Sequence, residues 1–305
     1  MTWVGIINKV TDPVRISNTL ATNIEKIMGV PSAGGEKGYI FGGGDPGILA
    51  DTDEYDPDTW ASKTDMIAAR YVSVAFTLSN KGYVCCGYFF LRDNAEYDPD
   101  TWTTKTDIPL PGRHYSAGSA ISDKGYIYCG DSSGYLRDCD EYDPDTWANK
   151  TDAPVPSRRQ LAASTISSKG YIYCGYNPNR LQDCDEYDPD TWVNKTNTPT
   201  PGRSELMALT ISDKGYIFGG RGSSAQIQDC DEYTPDTWAN KTNVPTPARS
   251  NSAASVISSK GYLYCGQMQA DPYQMRDCDE YAPDTWTNKT DAPTPARYFA
   301  SSSTI

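Results

Sequence analysis

Short runs of alternating bulky residues, broken by turn residues, recur along this chain. In Lys124–Gly130, KGYIYCG, the alternation is too short for a helix and predicts a strand. After a loop, DCDEYDP predicts a second strand, and the Pro-Asp-Thr behind it a tight turn. TWANKT predicts an outer strand. A proline-rich link (APVPSR, TPTPGR, VPTPAR) then leads to a strand of small residues such as LAASTIS, suited to a crowded centre, and SSK or SDK turns the chain into the next KGY. No helical periodicity appears after residue 36.

The unit repeats. KGY opens at Lys37, Lys81, Lys124, Lys169, Lys214 and Lys260, in steps of 44, 43, 45, 45 and 46 residues, with Tyr55/Trp60, Tyr97/Trp102, Tyr142/Trp147, Tyr187/Trp192, Tyr233/Trp238 and Tyr281/Trp286 in step. Six copies of four strands predict an all-β fold, a six-bladed β-propeller of four-stranded antiparallel blades spanning residues 37–305. Ile305 follows Arg297 by eight residues, as Ile257 follows Arg249 and Ile211 follows Arg203, whereas no small-residue strand precedes Lys37. Residues 299–305 are therefore expected to complete the sheet of residues 37–64, closing the ring and removing open edges.

Residues 1–36 fall outside the repeat. TWVGIINKV, with Trp3 and Ile6, has β character, and Leu20, Ile24 and Ile27 share one face of a short helix that Gly29 would stop. This arm either packs on the ring or docks the chain onto a protein partner or assembly, by strand addition or as a helix in a groove.

Charge and composition narrow the function. With 27 basic and 40 acidic residues the net charge is −13, which argues against nucleic acid. No run approaches the roughly 18 apolar residues of a membrane helix, so no membrane insertion is expected. No basic start precedes an apolar block, so the expectation is no signal peptide and synthesis in the cytoplasm. His114 is the sole histidine, which leaves little for a metal or a general base; no cofactor, no metal and no catalysis are expected.

Some chemistry stays open. The acidic DCDEYDPDTW strings suit either a calcium site or, through Asp before Pro, a self-held turn; the turn is preferred. Cys129/Cys139, Cys174/Cys184 and Cys265/Cys278 lie on predicted neighbouring strands. Because Cys86 faces Asn94 and Cys230 faces Gly219 in other copies, buried thiols are the default. Arg70, Arg113, Arg158, Arg203, Arg249 and Arg297 either ring the channel mouth as an anion site or pair with the acidic strands.

The copies resemble kelch repeats over residues 37–305. The glycine doublet stands as Gly42-Gly43 and Gly219-Gly220, and as Cys-Gly in the other four copies. The Tyr-Asp-Pro and Trp pair stands as YDPDTW, and the proline link to arginine as P-x-P-x-R; the Tyr-to-Trp turn is shorter than in that family. The resemblance implies six or seven blades used mainly as a binding scaffold, and it assigns the arginine to the repeat pattern. Copper oxidases built on this repeat hold their metal with histidines and tyrosines, which one histidine does not supply.

The copies disagree in two places: the loop after each KGY strand (GDPGILA, YFFL, DSSGYL, YNPNRLQ, RGSSAQIQ, QMQADPYQM) and the residues after each link arginine. In an up-and-down blade these connections share one face, while SDK and DPDT share the other. The variable face is the expected contact surface for a protein or glycan ligand. Its candidate anchors are Phe89, Phe90, Tyr135, Tyr176, Arg180, Arg221, Met268 and Tyr273, and its candidate channel-mouth residues are Tyr71, His114, Arg159, Glu205, Asn251 and Tyr298. The function expected is a non-catalytic binding or structural propeller, a virion or surface-assembly component such as a phage fibre, decoration or receptor-binding subunit. An intracellular, cytoplasmic kelch-type adaptor is the alternative, and a carbohydrate-active enzyme a third class.

Overall fold

Each KGY segment becomes the second strand of a four-stranded antiparallel sheet. The computed structural model describes residues 35–270 and 273–305; the arm residues Trp3, Ile6, Leu20, Ile24 and Ile27 lie outside them. The fourth blade shows the pattern: an inner strand Ala162–Ile166, then Lys169–Tyr173, Cys184–Asp188 and an outer strand Thr191–Asn194, in that spatial order. Six such sheets form a six-bladed β-propeller, and the described residues contain strands and turns but no helix. As expected, the first blade takes its inner strand from the C-terminus: Ser301–Thr304 pairs with Gly38–Phe41 in antiparallel register.

The core lies between blades. Tyr187 of the fourth blade is fully buried against Tyr126 and Tyr128 of the third (centroids 5.3 and 5.8 Å) and its own Trp192 (4.8 Å), and each such tyrosine contributes about 1.5–3 kcal/mol of burial. The KGY glycine makes the approach possible: a Cβ on Gly170 would sit 2.4 Å from the Tyr128 hydroxyl oxygen. The inner strands alternate likewise. Ala162, Ser164 and Ile166 point into the blade, while Ala163 and Thr165 face the channel.

On the SDK/DPDT face one device recurs in every blade. Asp58, Asp100, Asp145, Asp190, Asp236 and Asp284 each accept the backbone N–H of a threonine in the neighbouring blade at 2.7–2.9 Å. The indole N–H of Trp60, Trp102, Trp147, Trp192, Trp238 and Trp286 donates to the carbonyl of that same threonine at 2.8–2.9 Å. The acidic turn is thus an inter-blade clasp. Asp before Pro does not hold its own turn: Thr59 Oγ1 and its counterparts donate to the backbone carbonyl at that position at 2.9–3.1 Å, so Thr234 and Ala282 serve there equally well. Where Asp is present its carboxylate pairs with the KGY lysine, as in Lys81–Asp98 at 3.0 Å. Among the described residues no group of three His, Cys, Asp or Glu is placed to hold a metal ion.

The link arginines are buried within their blades. Arg158 pairs with Asp185 at 2.8 Å, Arg249 with Asp279 at 2.6 Å and Arg297 with Asp53 at 2.8 Å; Arg113–Asp140 and Arg203–Asp231 repeat the pair. These guanidiniums do not ring the mouth. All nine cysteines are free and buried. The first residue of each doublet, including Cys86, Cys129, Cys174 and Cys265, turns left-handed (φ 50–64°) and leaves the ladder. Cys139, Cys184 and Cys278 consequently face Tyr128, Tyr173 and Tyr264. Cys85 rather than Cys86 pairs with Asn94, and Cys230 pairs with Phe218 rather than Gly219.

Candidate functional site

The mouth of the channel on the variable face is built on backbone. The second residue of each doublet, Gly43, Gly87, Gly130, Gly175, Gly220 and Gly266 (φ 95–141°), donates its N–H to the carbonyl of the next blade's link arginine at 2.9–3.2 Å. Only glycine takes that conformation at little cost. The residue after each arginine pairs with its own blade's loop: His114 with Asp131, Arg159 with Tyr176, Ser204 with Arg221, Ser250 with Gln267 and Tyr298 with Gly44, and Tyr88 N–H donates to the Tyr71 carbonyl at 3.1 Å. Both variable connections therefore meet on one face.

The next residue lines the axis. Phe299, Val72, Tyr115, Gln160, Glu205 and Asn251, taken in blade order, all hold left-handed backbone at φ 54–59°. Such geometry is uncommon for residues other than glycine and an outlier for a β-branched valine. A chain of backbone hydrogen bonds runs along them: Val72 N–H to Phe299 O, Phe299 to Asn251, Asn251 to Glu205, Glu205 to Gln160 and Gln160 to Tyr115, at 2.8–3.0 Å. They border a cavity of about 110 Å³. Backbone held in a sparsely populated region by its surroundings is a feature of ligand-binding sites.

The six side chains divide the mouth. Phe299, Val72 and Tyr115, on the first to third blades, are apolar or aromatic; Gln160, Glu205 and Asn251, on the fourth to sixth, are polar. On the polar side Glu205 accepts from Gln160 Nε2 and Asn251 Nδ2 (3.1 Å each) and from Ser250 Oγ (3.2 Å), and Asn251 also donates to Gln267 Oε1 at 3.1 Å. On the aromatic side Tyr115 and Phe299 meet edge to face at 5.4 Å, and Tyr71, Tyr88, His114 and Tyr298 extend the surface outward at centroid distances of 4.7–6.2 Å. Arg159 sits over Tyr115, Tyr135 and Tyr176 at 5.1–5.6 Å and is tied to Asp131 at 2.5 Å. Burial holds the His114 imidazole below its usual pKa, with the Arg159 charge acting in the same sense and Asp131 opposing. Burial likewise raises the Tyr71 phenol to about 12.

Of the sequence-derived mouth residues, Glu205 and Asn251 border the cavity. Tyr71, His114, Arg159 and Tyr298 stand one position earlier, pairing their backbones with the loops and backing the lining residues. The loop anchors fall into two groups. Phe89, Phe90 and Tyr273 are exposed (70%, 47% and 55%). Tyr135, Tyr176, Arg180, Arg221 and Met268 are half-buried, with Arg180 over the Tyr176 ring at 5.8 Å and Met268 closing its loop through a hydrogen bond to Tyr273 O. Phe299, Val72, Tyr115, Gln160 and Tyr88 complete the site. Their signal was the fixed spacing of two from each link arginine (one after the doublet glycine for Tyr88).

No protein-family model matches the chain, and no curated protein matches it. A solved structure described as "Structure of YjhT" superposes with a TM-score of 0.68 over 79% of this chain and 88% of its own, at 13% sequence identity. That likeness, to another propeller, is one of fold.

Proposed function

We propose that this chain is a non-catalytic binding propeller of the kelch kind that meets its ligand on the variable face. One observation carries the reading. The same ring repeats a clasp in all six blades on one face, and on the other divides its mouth into an aromatic half and a polar half on backbone that is equally regular. Invariant backbone with blade-specific side chains suits recognition, since it fixes the site and leaves its chemistry free. A non-catalytic role is supported by His114, which is buried among aromatic rings, and by the carboxylates of the third strands, which are engaged in ion pairs. In its fuller form the propeller is the displayed head of a virion or surface assembly, with residues 1–36 as the tether to a protein partner.

The test is binding of labelled full-length protein to intact bacterial cells of several genera and to a glycan array. A Phe89→Ser/Phe90→Ser/Tyr273→Ser variant should bind at least about tenfold less. Asp123→Ser, at an exposed turn on the other face, should bind normally. Equal losses in the two, or binding untouched by the triple substitution, would sink the reading.

A second reading, an intracellular adaptor, is favoured by Ile67, Leu110 and Val155. They stand three residues before the link arginine and are 58%, 73% and 72% exposed, where the remaining blades carry Thr200, Thr246 and Thr294. Such a row of apolar side chains suits a protein partner. Loss of partner binding on Leu110→Ser/Val155→Ser, with cell and glycan binding absent, would favour it.

A further inference from the structure

We propose that the divided mouth binds one neutral pyranose ring, laid with its apolar C–H face on Phe299 and Tyr115 and its hydroxyl rim against Gln160, Glu205 and Asn251. This rests on the variable face being the ligand face and names the ligand class.

The cavity's size comes first. At about 110 Å³ it lies below the roughly 300–1,000 Å³ of drug-sized sites and suits a single ring at the mouth, above a channel that the inner strands line with small residues such as Ala163. Its chemistry comes second. A pyranose is itself divided, with one face of C–H groups and an edge of hydroxyls. The aromatic side offers two rings at 5.4 Å that Tyr71 and Tyr298 support from behind, and ring faces take apolar surface well. The polar side is rich in acceptors. Both Glu205 oxygens are held by neighbouring donors, Oε1 by Gln160 and Oε2 by Asn251 and Ser250, which fixes the carboxylate and leaves Oε1 a lone pair for a sugar hydroxyl. Adjacent sugar hydroxyls, each a donor and an acceptor, match a carboxylate flanked by two amides.

Charge decides between a sugar and the other ligands an aromatic–carboxylate pocket admits. An organic cation would seek the tyrosine faces, but the Arg159 guanidinium already occupies that place over Tyr115 at 5.4 Å. An anionic sugar would meet the Glu205 carboxylate in a molecule of net charge −13. A neutral sugar meets neither penalty. Preorganisation is the third support. The left-handed positions are cross-linked by backbone hydrogen bonds, and Gln160, Glu205 and Asn251 are tied to one another through their side chains, so the main chain and the polar rim are set before the ring arrives, which lowers the entropy cost of binding.

The test is saturation-transfer NMR on the full-length chain at millimolar concentrations of methyl glucoside, galactoside and mannoside, with choline and methyl glucuronide as charged comparators. At least one neutral pyranoside should receive transfer, reduced about fivefold or more by Phe299→Ala and by Glu205→Gln. The second variant is close to isosteric and is informative even if the first fails to fold. Stronger transfer to choline or to the glucuronide than to every neutral pyranoside would overturn the assignment. So would transfer to no pyranoside, or transfer that both variants leave unchanged. If cell or array binding still depends on the loop face while no pyranoside binds, this inference alone falls. If the loop-face substitutions leave all binding intact, the parent reading falls.

Discussion

The two faces of this ring are built from the same six copies and use them in opposite ways. On the DPDT face both the backbone and the side chains repeat. An aspartate clasps a threonine N–H, a tryptophan donates to that threonine's carbonyl, and a glutamate gathers two lysines and a tyrosine hydroxyl, as Glu141 does with Lys124, Lys150 and Tyr126. On the other face only the backbone repeats, through the glycine-to-arginine carbonyl bonds and the left-handed positions behind them. A ring closed by side chains on one side and by main chain on the other leaves the second side free to vary its chemistry without opening.

The largest expected effect tests where the repeat itself breaks. Arg158 and Asp185 are both fully buried and 2.8 Å apart. Arg158→Met leaves a buried carboxylate without its counter-charge and should cost about 3–5 kcal/mol. The second blade carries Ala95 where the others have this aspartate. Arg70, 2% exposed, meets only the Asp93 carbonyl at 3.3 Å and the half-exposed Asp93 carboxylate at 3.8 Å. Arg70→Met strands no buried acid and should be near neutral or stabilising. Urea-unfolding midpoints of the two variants check this, and equal losses would show that the arginine acts by packing alone.

A smaller effect separates the faces directly. Trp192→Phe removes the hydrogen bond to the Thr151 carbonyl along with part of the indole's buried surface, and should cost about 1–2 kcal/mol. Phe89→Ser, at a side chain 70% exposed, should change stability by less than about 0.5 kcal/mol. Thermal midpoints decide. A large loss at Phe89 would mean that the loop is part of the scaffold and would blur the distinction.

Much of the scaffold was legible because its causes are local and recur: KGY strands, two-residue turns, small inner strands and an orphan C-terminal strand that the first sheet lacks. The doublet was legible as a motif but not in its effect. Cys129, Cys174 and Cys265 hold the left-handed turn that glycine marks elsewhere, and that turn moves the expected cysteine partners out of register. The mouth was legible to within one residue. Val72, Tyr115, Gln160, Glu205 and Phe299 hold left-handed backbone with none of the side chains that advertise it, so sequence could choose only between the two residues after each arginine. The acidic strings were read as turns, but their real partner, a threonine N–H in the preceding blade, lies about forty residues away in the chain and has no local signature.

The subtlest expected difference between the faces lies in their response to pH. On the DPDT face burial pushes the carboxyl of Glu141 and its five counterparts upward, but hydrogen bonds from lysine and tyrosine outweigh it and hold each below its ordinary 4.5. The clasp aspartates fall below 3.8, chiefly because each accepts a backbone N–H. Depressed carboxyls favour the fold above the unfolded pKa, and that stability drains as pH falls, because the unfolded chain takes up protons first. On the variable face His114 is held below its ordinary 6.5 by burial, so it too makes the unfolded chain the better proton acceptor, but starting near neutrality. Urea midpoints measured from pH 7.5 downward should therefore show a slight decline beginning near pH 6.5 and a steep one below about pH 4.5. His114→Gln should abolish the first and spare the second, whereas Lys124→Met with Tyr126→Phe should shallow the second and spare the first. If one substitution removed both steps, the two faces would be titrating as a single unit and their separation would not extend to electrostatics.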